Sequence, residues 1–240
     1  PRNQKRQLVG HYPYGSGLVF RAREVGFSPD WVGQHGLARV TRKEGSDRAS
    51  GVLVVMSSSP QNRSRTVAVY GGSFNPPHVG HAMVASWLLW TERVDELWLL
   101  PVYRHAFDGL HDKRLASFEQ RSEWCEALAS AVGPGVKVCR VEAELPTPSY
   151  TIDTLRSLRG RYPDREFRLV VGSDVLPQLP QWRDWTTIEN EFSPIVVARA
   201  GYPTGQELDS PVFPGVSSQE IRARMKAGQD IAHLVPARVL

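Results

Sequence analysis

His78 and His81, three residues apart in Pro-Pro-His-Val-Gly-His, are the side chains whose type and spacing point most directly to chemistry. One helical turn separates them, so a helix beginning near His78 sets both imidazoles on one face. The first-turn amides of such a helix lack partners and its dipole favours negative charge, so the pair would flank an anion. Pro76 and Pro77 keep the helix from starting earlier. A histidine pair alone is equally half of a metal site, and what precedes it gives it meaning. Val67-Ala-Val-Tyr70 reads as a buried strand of a parallel sheet. Gly71-Gly72 is expected to end that strand in a turn that needs backbone freedom and lets a ligand approach the main chain. Strand, glycine turn and histidine pair, in that order, make a phosphate site.

The elements that must hold this site follow along the chain. The first helix offers Ala82, Ala85, Trp87, Leu88 and Leu89 for packing, and Glu96–Pro101 is a second buried strand stopped by proline. After a polar loop over 104–113, a helix is expected over Ser117–Ala131, with a capping box between Ser117 and Gln120. Val136–Val141 reads as a third strand, 146–149 as a turn, Tyr150–Arg161 as a helix, and Phe167–Val171 and Ile195–Ala198 as further strands. A second Ser-x-x-Glu box, Ser217 to Glu220, opens a helix near the C-terminus. Strands alternating with helices imply an α/β fold, a Rossmann-like open parallel sheet with helices on both faces and right-handed crossovers. Ligands of such sheets bind at the strands' carboxyl ends, where strand order reverses.

Charge divides the 240 residues unevenly. Residues 1–66 hold 11 Lys and Arg against 4 Asp and Glu, a balance of +7, whereas 67–240 hold 18 against 21. The basic character therefore belongs to the first quarter, and the folded part lacks the dense basic stripe that nucleic-acid binding needs. Residues 1–66 show little periodicity beyond Val52–Val55 and are expected to form a basic, disordered extension, with the domain proper at 67–240. Two readings of this segment stand open: Met56 as the natural start, which would make the residues before it foreign to the native chain, or a flexible basic extension that the native protein carries. Cys125 and Cys139 are the only cysteines and form no CxxC. With no secretory h-region and no apolar stretch approaching the roughly 20 residues that span a bilayer, a reducing cytoplasm and no membrane partner are expected.

The string GGSFNPPHVGH, residues 71–81, resembles the signature of the nucleotidyltransferase superfamily, whose HxGH motif holds the triphosphate of an activated nucleotide. Its form is most similar to that of the nicotinate-nucleotide adenylyltransferases, which join an adenylyl group to nicotinate mononucleotide in NAD synthesis. The resemblance runs over roughly residues 67–235 and implies the nucleotidylyltransferase version of the open sheet. It implies ATP contacts from Gly72, Ser73, Phe74, His78 and His81. Ser217, Ser218 and Arg222 match the family's SSTxIR-like element, with Gln219 where threonine is usual. Gly172 and Asp174, in Val170-Val-Gly-Ser-Asp174, match the GxD segment that borders the adenosine and acceptor sites. Tyr150 and Thr151 match SYTxDTL, which positions the nicotinate nucleotide, and Trp182 matches the aromatic beside the pyridine ring. The family's PPHK-like loop is replaced by Pro101-Val-Tyr-Arg-His-Ala-Phe-Asp-Gly-Leu-His-Asp-Lys113, where Arg104, His105 or Lys113 would have to supply the substrate-side charge.

What the resemblance implies is attack by the acceptor's phosphate oxygen on the α-phosphorus of ATP, with His78, His81 and Arg222 as the catalytic groups. Mg2+ would be held mainly by the ATP phosphates, with no protein metal site, because it keeps its waters. Neither GxxxxGK[ST] nor GxGxxG occurs. The alternatives within the class are a nicotinamide-nucleotide, phosphopantetheine or cytidylyl transferase. Outside it stand a metal-dependent hydrolase built on the histidines and a nucleotide-binding homologue without catalysis. Partners are ATP and nicotinate mononucleotide, with a homo-oligomer compatible with the sequence.

Overall fold

The computed structural model describes residues 64–239, apart from 92, 104–114 and 206, together with the segments 19–21, 37–38, 52–54 and 56–57. The chain divides into two units, Pro1–Arg63 and Ser64–Leu240. In the first, β1 (Val19–Arg21) pairs antiparallel with β3 (Val52–Val54), and β2 (Leu37–Ala38) with β4 (Met56–Ser57). Of the rest of the sequence expected to be a disordered extension, 1–66, residues 64–66 belong to the second unit, where Arg65 and Thr66 open its first strand, and the remainder lies outside the described residues.

The second unit alternates strand and helix: β5 (Arg65–Gly72), α1 (Val79–Trp90), β6 (Glu96–Pro101), α2 (Phe118–Val132), β7 (Val136–Val138), α3 (Thr151–Arg161), β8 (Arg165–Gly172), α4 (Trp185–Phe192), β9 (Ile195–Val197) and α5 (Ser218–Lys226). Its five strands form one parallel sheet in the order β7-β6-β5-β8-β9. The first strand of the unit is thus central. The chain builds outward to one side of it and then crosses to the other, so strand order reverses at β5 and a crevice opens beyond its carboxyl end.

Strand periodicity sorts the core into two layers. Ala68, Leu97 and Leu99 pack with Val84, Ala85 and Leu88 of α1 and with Cys125 and Leu128 of α2. Val67, Val69, Trp98 and Leu169 face the opposite way, onto Ile152, Leu155 and Leu158 of α3 and Ile188 and Phe192 of α4. At the far edge from the crevice, the buried Glu96 accepts from Trp98 Nε1 at 2.9 Å and pairs with Arg65, Lys137 and Arg165 at 3.1, 2.9 and 2.6 Å. Burial pushes its carboxyl up, but the hydrogen bonds from Trp98, Lys137 and Arg165 and the Arg165 charge outweigh it and bring the pKa to about 2.

Several expectations shift. Gly71 and Gly72 do not form a turn after Tyr70; they are the last two residues of β5 and continue its ladder opposite Leu100 and Pro101. Neither takes a left-handed φ, and the residue that does is Phe74, at φ 45°. The strand expected to reach Val141 stops at Val138, because the chain turns there into a 3-10 segment, Val141–Glu144, that buries Val141. Both serine capping boxes form only by half. Ser117 and Ser217 accept from the amides of Gln120 and Glu220, each at 3.1 Å, but Gln120 turns to Glu123 and Glu220 pairs with Arg224. A 3-10 segment, Ser173–Gln181, and α4 were not foreseen, since Pro177 and Pro180 obscure the periodicity of the first. Among the described residues no helix is long and apolar enough to cross a membrane.

Candidate active site

His78 is the N-cap of α1, in extended conformation with φ −147°. Its backbone N–H donates to His81 Nδ1 at 3.0 Å, and the two rings stack with centroids 3.7 Å apart. Because Nδ1 of His81 accepts, the proton of the neutral ring sits on Nε2. Gly80 makes room for this: a Cβ there would lie 3.1 Å from His78 Nδ1. That Nδ1 is itself buried without a hydrogen-bond partner. Phe74, only 1% exposed, supports His81 from behind at 4.9 Å between ring centroids, and Tyr70 adds an edge contact at 5.7 Å. Burial, helped by the charge of Arg199, lowers His78 to about 4. Burial, then His78 and Arg199, likewise hold His81 well below its ordinary value. At neutral pH both rings are uncharged donors.

The N-terminus of α5 is fastened to the loop between β5 and α1. Ser218 Oγ donates to Pro76 O at 2.8 Å and Arg222 Nη1 to Asn75 O at 2.5 Å, while Ser217 caps the helix. The loop between β5 and α1 and the C-terminal Ser-Ser-x-x-x-Arg element, more than 140 residues apart in sequence, therefore form one wall.

A second wall comes from the carboxyl ends of β8 and β9. Asp174 folds back over Gly172 so closely that a Cβ on the glycine would meet Asp174 Oδ1 at 2.3 Å. Its other oxygen accepts from Arg199 Nη1 at 2.5 Å, and Arg199 also donates to Val216 O at 2.7 Å. Arg199 is a site residue that sequence reasoning missed. The available signal was its position two residues beyond a parallel strand, on the ligand edge of the sheet.

The third wall is the start of α3 with the segment before α4. Tyr150 caps α3, Thr151 is its first residue, and Trp182 closes the 3-10 turn against Trp185, 6.1 Å away. Behind them the buried Glu142, also unforeseen, accepts from Ser149 Oγ and Thr154 Oγ1 at 2.7 Å each and pins this wall in place.

All these walls line one cleft of about 1100 Å³. It brings together Gly72, Ser73, Phe74, His78, His81, Gly172, Asp174, Ser217, Ser218 and Arg222 with Tyr150, Thr151 and Trp182. Lys113, Arg104 and His105 lie outside the described residues. Among those residues, no group of three or more His, Cys, Asp or Glu side chains is placed to hold a metal ion.

Comparison with known proteins agrees with this geometry. A family model described as cytidylyltransferase-like matches residues 69–224. A protein of Anaeromyxobacter sp. (strain K), named probable nicotinate-nucleotide adenylyltransferase, is 45% identical over 179 residues, which are 73% of this chain and 92% of the relative. Its namesake in Myxococcus xanthus (strain DK1622) is 41% identical over 174 residues, 72% and 89% of the two chains. The fold is shared with the Plasmodium falciparum nicotinic acid mononucleotide adenylyltransferase complexed with NaAD, at TM-score 0.60 and 18% identity over 73% of this chain and 92% of that one. A histidine pair at the switch point of the sheet, in a chain aligned with nearly the full length of such relatives, places this protein in the cytidylyltransferase-like family, among the nicotinate-nucleotide adenylyltransferases.

Proposed function

We propose that the protein transfers the adenylyl group of ATP to nicotinate mononucleotide, giving nicotinate adenine dinucleotide and pyrophosphate in NAD biosynthesis. The observation that carries this reading is the stacked His78–His81 pair at the carboxyl end of β5, in one cleft with the α5 N-terminus. At about 1100 Å³ the cleft exceeds the roughly 300–1,000 Å³ of sites for single small ligands and has room for two nucleotides.

The acceptor's phosphate oxygen attacks the α-phosphorus in line and pyrophosphate leaves, a reaction that needs positioned donors rather than a protein nucleophile. His81, through Nε2–H, stabilises charge on the α-phosphate. His78, the α5 amides and the remaining donors of Arg222 hold the departing phosphates. Arg199 adds positive charge to the same side, while Asp174 keeps it oriented. Ser73 and Gly72 offer backbone close to the nucleotide. Tyr150, Thr151 and Trp182 receive the pyridine nucleotide, with Trp182 as stacking face.

Asp174 and Glu142 are the carboxylates in the described lining of the cleft; Asp174 is committed to Arg199, and Glu142 to Ser149 and Thr154. That donor set fits a hydrated Mg2+ carried by the ATP phosphates, whose charge the ion would neutralise. Two free cysteines suit a cytoplasmic setting.

The test is pyrophosphate release from ATP with nicotinate mononucleotide, nicotinamide mononucleotide and phosphopantetheine in turn. Release is expected with the first and fastest there; release only with another acceptor, or with none, contradicts the reading.

A further inference from the structure

Side chains alternate along β5, so Tyr70 points with Ala68 to the α1 face of the sheet, beneath the start of the helix that bears the histidine pair. Its ring meets His81 edge-on at 5.7 Å and Phe74 at 6.0 Å between centroids. A phenylalanine would complete the same packing. The hydroxyl is what packing does not require, and it feels the charges of both Arg199 and Asp174, so the phenol stands between the histidines and the wall built by β8 and β9.

Among the described residues this hydroxyl has no hydrogen-bond partner, yet it is not one of the side-chain atoms sealed from solvent without one. A phenol that is neither bonded nor sealed faces open space, and the open space beside Tyr70 is the cleft it lines. The acceptors around it are taken: Asp174 by Arg199, and Nδ1 of His81 by the backbone of His78. Burial pushes the phenol's pKa up, the Arg199 charge pulls it down by less, and Asp174 adds to the rise, so the group keeps its proton at neutral pH and is a donor. A partly buried donor without a partner is costly until a ligand pairs with it, and a phosphate oxygen is the acceptor that suits the neighbouring His81 Nε2–H as well.

We infer that the Tyr70 hydroxyl is a further ATP-binding group, donating to a triphosphate oxygen beside His81, an inference that rests on the proposed adenylyl transfer. It adds a neutral donor on a side where Arg199 and Arg222 commit donors to a carboxylate and to main-chain carbonyls.

The test titrates ATP and, separately, inorganic triphosphate into the wild type and Tyr70→Phe, and measures KM for both substrates alongside urea unfolding. Tyr70→Phe keeps the ring and its contacts with Phe74 and His81, so its urea midpoint is expected to match or exceed that of the wild type. Kd for ATP and for triphosphate is expected to rise roughly tenfold, the loss of a hydrogen bond to a charged acceptor, while KM for nicotinate mononucleotide stays within about twofold. A weaker ATP complex with unchanged triphosphate binding would place the hydroxyl on the nucleoside and overturn the inference. Unchanged ATP affinity overturns it too, as does a lowered urea midpoint with equal losses for both substrates, the mark of a structural role. A wild type that binds ATP yet forms no dinucleotide overturns the proposed function itself, and the phenol's contact with triphosphate is then still read from the Kd values.

Discussion

A neutral imidazole that donates to phosphate must keep its proton on the nitrogen that faces the ligand. Here the backbone N–H of His78 occupies Nδ1 of His81, and the proton is left on Nε2. Burial makes positive charge on either ring costly, the Arg199 charge adds to this for both, and His78 adds to it for His81 alone, which is why both pKa values lie below the ordinary one. For stability the sign is definite. With a folded pKa of about 4 against 6.5 unfolded, His78 supports folding fully above pH 6.5, and its protonation opposes folding as pH falls from there toward 4. Urea midpoints of the ligand-free protein should drop across that window, and less steeply in His78→Asn. Identical pH profiles for variant and wild type would contradict the assignment. Gly172 has a comparable reason to be glycine: its missing Cβ is the space in which Asp174 lies while holding Arg199.

Between elements, the site is assembled by main-chain carbonyls that meet buried or helix-borne cations. Arg121 of α2, 1% exposed, donates to Ala116 O at 3.1 Å, Ser73 O at 2.9 Å and Val102 O at 2.7 Å. It thereby joins the loop after β5, the exit of β6 and the entry of α2, and among the described residues no carboxylate pairs with it. Removing it leaves three carbonyls without a donor, and Arg121→Met should lower unfolding free energy by about 3 kcal/mol or more in urea titration. A change below about 1 kcal/mol would show that water or the backbone replaces it readily. Arg222 and Ser218 do from α5 what Arg121 does from α2, with the carbonyls of Asn75 and Pro76 as targets. These clamps hold Ser218 and Arg222 at the cleft, on the side where the proposed function needs phosphate donors.

For the whole molecule, the parallel sheet was readable because β5, β6 and β8 are apolar on both faces, a pattern that sheets covered by helices on each side produce. The histidine pair was readable because its spacing is local and its helix start is marked by prolines. What escaped was whatever depends on contacts between distant segments. Arg199 looks like any loop arginine until β9 is placed beside β8, and Glu142 like a surface acid until Ser149 and Thr154 fold over it. The serine boxes misled in the opposite direction: their acidic or amide partners found better bonds with neighbours one turn on, at Glu123 and Arg224. The elements converge on one crevice, and the proposed chemistry rests on His81 in its lining. The most direct test is therefore the rate at which nicotinate adenine dinucleotide forms from ATP and nicotinate mononucleotide, at saturating substrates, in the wild type and in His81→Ala. Loss of a preorganised donor to the transition state predicts dinucleotide formation about a thousandfold slower in the variant. A variant within tenfold of the wild type would contradict the assignment of adenylyl transfer to this histidine.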